Sequence, residues 1–154
     1  CRYWLARGWD ERKGVCVFIG LNPSTADAET DDPTIRRCVQ YAKDWGYGSL
    51  LMVNLVPLRA TDPAVMLRAL DDMPHEEIAA MTARNVETLL GAAAAARVAV
   101  ACWGAGGADL AGPVASVREM FGEKLHALSV TMDGHPGHPL YLKRTLVPVP
   151  WPAS

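Results

Sequence analysis

Two asparagines and a histidine stand where apolar runs give way to turns, and these residue types suit the handling of a planar polar ring. Asn22 lies in Gly20-Leu21-Asn22-Pro23-Ser24, directly after the apolar run Val15 to Ile19. A carboxamide is no strong base, but it can hold a water or a substrate oxygen in place. It can equally cap a turn, a role asparagine takes readily. Asn54 ends Leu50-Leu51-Met52-Val53-Asn54. Its adjacent donor and acceptor match the edge of a pyrimidine or an adenine. The plainer reading is a strand-end amide satisfied by a neighbour. His138 sits between Gly137 and Pro139, in a loop that also carries His135. An imidazole on such a loop can donate to a developing anion. Asp133, His135 and His138 form an alternative, loosely spaced set of metal ligands.

Weaker signals surround these. Trp103-Gly104-Ala105-Gly106-Gly107 follows an apolar run, but a dinucleotide fingerprint would need a third glycine where Asp109 stands. A helix start there can still offer backbone amides to a phosphate, with Gly104 in front. Arg36, Arg37, Arg59, Lys143 and Arg144 are either solvated charges or a basic rim, and Arg59 follows Asn54 by five residues. Asn85 falls on an apolar helical stripe, as a core amide with a backbone partner or as part of a site floor.

Alternating strands and helices must position these groups. Arg2 to Gly8 reads as an edge strand, and Val15 to Ile19 as a strand covered on both faces. A polar loop spans 21–32. Asp32-Pro33 starts a helix with the stripe Ile35, Cys38, Val39, Ala42 and Trp45, closed by Gly46 and Gly48. Leu50 to Leu55 is the next strand. Asp62-Pro63 opens a short helix to about Leu70. Pro74 opens another, with Glu76 and Glu77 in its first turn and Ile78, Met81, Asn85 and Leu89 inward. Arg97 to Trp103 is a strand. Gly107 to Phe121 is a helix that Gly112-Pro113 kinks or divides. Leu125 to Thr131 is the last strand, and the tail from Pro148 is irregular. This alternation predicts an α/β fold, with a mostly parallel sheet between helices and the strand ends gathered on one edge. That edge is where open α/β sheets bind ligands.

The chain has 154 residues, half of them apolar, and reads as one domain over 1–154. Its net charge of −2 argues against salt-driven coating of DNA. No apolar run reaches the ~18 residues of a membrane helix, and no signal peptide is evident. The four cysteines have no metal-ligand spacing. Cys16, Cys38 and Cys102 lie on apolar segments, as expected for a cytoplasmic protein. No obligate protein partner is evident.

Four motifs resemble the uracil-DNA glycosylase superfamily in its mismatch-specific, asparagine-bearing form. They are Gly20-Leu21-Asn22-Pro23-Ser24, Val53-Asn54-Leu55-Val56-Pro57, Trp103-Gly104 and His138-Pro139-Leu140-Tyr141. More closely, Leu21 to Asp27, Asp32 to Cys38, Trp45-Gly46-Tyr47, Arg59 to Pro63 and His138 to Tyr141 resemble a bacterial and phage family catalogued as a domain of unknown function. The glycosylase resemblance implies a three-layer α/β/α sandwich with a central, mostly parallel four-stranded sheet. It implies a base N-glycosidase acting on DNA or a nucleotide, with neither metal nor cofactor. Asn22 would position the attacking water and His138 would stabilise the departing base. Asn54, Ser24 and Tyr141 would bind the base. Thr25, Arg36, Arg59 and Gly104 would meet phosphate. Tyr47 or Tyr141 would stack on the base, which must be flipped out of the helix. A non-catalytic base-binding module of the same fold is the alternative, and an unrelated enzyme using the Trp103-Gly104 turn for phosphate is a third.

Overall fold

A computed structural model describes residues 1–24 and 29–151. The elements are β1 (Leu5–Gly8), β2 (Val15–Gly20), α1 (Pro33–Asp44), β3 (Ser49–Asn54) and α2 (Pro63–Asp72), then α3 (His75–Ala95), β4 (Ala96–Ala101), α4 (Ala111–Phe121), β5 (Leu125–Ala127) and β6 (Val149–Pro150). They form one mixed sheet of six strands in the order β1-β3-β2-β4-β5-β6. The expected four strands are therefore a subset. β3, β2, β4 and β5 run parallel, and β1 and β6 add antiparallel edges.

The two-residue side-chain period sorts the strands onto two cores. Cys16, Phe18, Leu50, Met52, Val98 and Val100 face Ile35, Cys38, Tyr41 and Ala42 of α1. Val17, Ile19, Val53, Ala99 and Ala101 face Met66 of α2, Met81 and Leu89 of α3, and Val117 and Phe121 of α4. Phe18, Tyr41 and Trp45 stack in the first core, with ring centroids 5.1 to 6.4 Å apart. Trp103 and Trp151 meet edge to face in the second at 5.5 Å.

Helix starts follow their signals. Asp32 accepts from Ile35 N at 2.8 Å and Asp62 from Ala64 N at 2.8 Å, with Pro33 and Pro63 in the first turns. Three expectations are corrected. The helix expected over 107–121 breaks at Leu110, not at Gly112-Pro113. A 3-10 segment, Gly104–Asp109, precedes α4, whose first turn accommodates Pro113 because amides there have no intrahelical partner. The last strand ends at Ala127, four residues early. The tail is not irregular throughout, because Val149 and Pro150 pair with Ala127 and His126. Among the described residues no helix is long and apolar enough to cross a membrane.

Candidate functional site

A cleft of about 340 Å³ opens at the carboxyl ends of β2, β3 and β4, beside the first turn of α1. Gly20 and Asn54 end neighbouring parallel strands and are paired in register. Asn54 shares the parity of Leu50 and Met52, so its side chain emerges on the face that α1 covers. Cys102 reaches the same place one step beyond β4. Thr34 and Ile35 add the amino end of α1, whose dipole is positive.

Asn54 is only 3% exposed. Among the described residues no group hydrogen-bonds to its side-chain carboxamide, although most buried polar side chains find a partner. Its backbone is held firmly. Leu55 N donates to Gly20 O at 2.9 Å, and Asn85 Nδ2 donates to Asn54 O and Leu55 O at 3.0 and 3.1 Å. Among the described residues the Asn54 side chain thus lacks the local partner that the plainer reading expects. Asn85 is a core amide with backbone partners, and its partners belong to the strand end that carries Asn54.

Asn22 also lines the cleft. Its Nδ2 donates to Leu58 O at 3.2 Å and Ala60 O at 2.9 Å, tying the first motif to the loop after β3. Among the described residues its Oδ1 accepts no hydrogen bond. Asn22 thus has a structural use through nitrogen and retains an oxygen for another donor. Ser24 lines the cleft as well, with its hydroxyl donating to the Asp32 carboxylate.

His138 and Tyr141 also line the cleft, with ring centroids 5.4 Å apart and Tyr141 83% exposed. Leu140 N donates to His138 Nδ1 at 3.3 Å, which puts the proton of the neutral ring on Nε2. Burial lowers the His138 pKa below its ordinary value, and the Asp32 carboxylate opposes this. The ring is therefore a neutral Nε2–H donor at pH 7. Gly104, at φ +68°, packs beneath it, and a Cβ there would lie 4.0 Å from His138 Cβ. Helix α1 anchors the chain that follows. Arg37 donates to Leu142 O, Tyr41 to Lys143 O and Trp45 to Leu146 O, at 3.2, 2.7 and 3.1 Å.

Asn22, Ser24, Asn54, His138 and Tyr141 are thus brought into one cleft. Arg36, Arg59 and Gly104 are not in its wall. Arg36 is exposed and donates to Asp31 O at 2.8 Å. Arg59 is exposed, with Nε 3.4 Å from Ser24 O. The Gly104 N–H is used by Pro136 O at 2.9 Å. Thr25 lies outside the described residues. Tyr47 packs in the α1-side core, leaving Tyr141 as the ring at the cleft. His135 lines a separate cavity beside Trp151. Among the described residues no three His, Cys, Asp or Glu side chains gather as metal ligands, so Asp133, His135 and His138 are not such a set.

Sequence reasoning missed Arg2, Thr34, Met52 and Cys102 in the cleft wall. Strand parity beyond the last apolar residue would have signalled Cys102. Arg2 carried no local signal, since it arrives from outside the parallel set.

A family model described as "Protein of unknown function (DUF1643)" matches residues 2–140. No curated protein and no solved structure matches the chain.

Proposed function

Because the chain belongs to the DUF1643 family, whose description specifies no chemistry, the cleft must supply the argument, and we propose that it is a base N-glycosidase that needs no metal. Its substrate is a uracil-like or modified base in DNA or a nucleotide. The observation that carries this is the carboxamide of Asn54, which has no hydrogen-bond partner among the described residues and stands at a cleft formed with Asn22 and His138. A heterocycle edge with adjacent donor and acceptor is complementary to that amide, which faces the cleft. The volume of about 340 Å³ falls within the range of small-molecule sites.

In this reading Asn22 Oδ1 accepts from a water and directs its oxygen at the sugar C1′. The water oxygen bonds to C1′ as the C1′–N bond breaks. The electron pair leaves on the base, and the water proton passes to solvent. His138 Nε2–H donates to the base anion, where a neutral donor in a partly dry site is effective. Tyr141, exposed beside the imidazole, offers a stacking face. The likeness of the four motifs to uracil-DNA glycosylases supports the same assignment and, with it, the finer fold reading of a glycosylase-like sandwich.

The use of Asn22 Nδ2 as a loop clamp favours a second reading, a module that binds a base without turnover. Oligonucleotides and free nucleotides carrying uracil, hydroxymethyluracil or a mismatch decide between them, with abasic sites and released base as readouts. Release that Asn22→Ala removes supports the enzyme. Thermal stabilisation by nucleotides without release supports the binder.

A further inference from the structure

We infer that Asn85 is a positioning residue that sets base selectivity by fixing the angle at which Asn54 presents its carboxamide; this rests on the glycosidase reading above. Asn85 lies on α3, on the opposite side of the sheet from α1, and is 3% exposed. Its one side-chain nitrogen bridges the carbonyls of Asn54 and Leu55. β1 pairs with β3 only as far as Met52, so these carbonyls lie beyond the ladder on that side. On the other side Leu55 N is held by Gly20 O. The backbone that directs Asn54 is thus clamped between β2 and α3, while its side chain has no hydrogen-bond partner among the described residues.

The bridge comes at a cost. Asn85 Oδ1 is buried with no hydrogen-bond partner among the described residues, which leaves its desolvation uncompensated. A well-packed leucine would avoid that cost but leave the two strand-end carbonyls without their donor. Asn85 does not line the cleft, and its side-chain hydrogen bonds among the described residues go to the Asn54 and Leu55 carbonyls, so in this proposal its influence falls on reading the base.

Asn85→Leu keeps similar volume and removes both donations. Two quantities test the inference: the ratio of kcat/KM between the best and next-best base, and the Asn54 side-chain NH2 pair in 15N–1H spectra, identified with Asn54→Ala. The expected result is a ratio that narrows about 10-fold and an Asn54 amide pair that shifts or broadens. Asn85→Asp, which retains one donor while protonated in its buried setting, should fall between and serves if Asn85→Leu does not fold. An unmoved amide pair, or an equal fall in kcat/KM on every base, overturns the inference. If the unaltered protein releases no base, the glycosidase reading has failed. The amide pair alone then decides whether Asn85 positions Asn54.

Discussion

Gly20 and Asn54 face each other across the β2–β3 register so closely that a Cβ on Gly20 would lie 2.8 Å from Asn54 Oδ1 and 3.2 Å from Met52 Cε. Gly20 is not needed for a left-handed turn, since its φ is not positive. It is needed for space. Gly20→Ala should therefore fold and displace the Asn54 amide. We expect base or nucleotide affinity to drop by about 10-fold or more, in keeping with misplaced polar recognition. Titration by calorimetry, with circular dichroism as a folding control, checks this. Unchanged affinity would remove Asn54 from base recognition.

Asn22 ties two loops together, and in the proposed reaction it also holds the water. Asn22→Ala removes the bonds to Leu58 O and Ala60 O and should cost about 1–2 kcal/mol of stability. It should also lower base release by about 10²–10³-fold, the scale of losing one oriented polar group. Asn22→Asp preserves an acceptor but sets a carboxylate against two carbonyls. It should be the less stable of the two, measured by urea unfolding. Stability of both variants equal to that of the unaltered protein would mean that the loop clamp contributes nothing.

The His138 environment predicts a stability change with a definite sign. Its folded pKa lies below the ordinary histidine value, mainly from burial. The unfolded chain therefore takes up the proton first as pH falls. Stability from this group is present above about pH 6.5 and is lost as pH drops from there through the lowered folded value. Asn at 138 can still accept from Leu140 N without titrating. The Tm difference between the unaltered protein and His138→Asn should shift against the unaltered protein between pH 8 and pH 5. Parallel Tm curves would show that the imidazole is not so buried.

Cysteine reactivity should divide the chain sharply. Cys16, Cys38 and Cys102 are buried, whereas Cys1 is exposed. Burial raises all three inner thiols, and Cys102, whose thiol donates to Ile19 O, is pushed up to about 12. The thiolate is the reactive species. Native protein should label quickly with a thiol reagent at Cys1 alone, and unfolded protein at all four. A second fast site would contradict the closed packing around the cleft floor.

Local chemistry made much of this legible. Asp32-Pro33 and Asp62-Pro63 start helices because capping and proline geometry act within one turn. The apolar runs before Asn22 and Asn54 end at one sheet edge because parallel strands share a direction. What escaped depends on distant partners. Val149-Pro150 looks irregular since proline lacks an amide donor, yet it suits an edge strand, where ladder donors are not all required. Tyr41 falls outside the predicted α1 stripe yet is fully buried, because its hydroxyl finds a carbonyl 102 residues away. The same limit hid the bond between Asn85 and the backbone of Asn54.

Tyr41 offers a way to loosen the His138 loop without touching the cleft. Its hydroxyl donates to Lys143 O at 2.7 Å, and burial raises its pKa, so it remains a protonated donor. Its ring packs against Phe18 and Trp45. Tyr41→Phe keeps the ring stack and removes one bond, at a cost of about 1 kcal/mol. Arg37 and Trp45 still hold Leu142 and Leu146, so the segment should remain docked but open more often. Lys143 and Arg144 are exposed at that point, which makes trypsin a direct reporter. Cleavage there should accelerate about 5-fold, following the population of the open form, and base release should fall with it if His138 acts in the reaction. Faster cleavage with unchanged release would separate the loop from the chemistry, and unchanged cleavage would mean that the Tyr41 tether does not hold it.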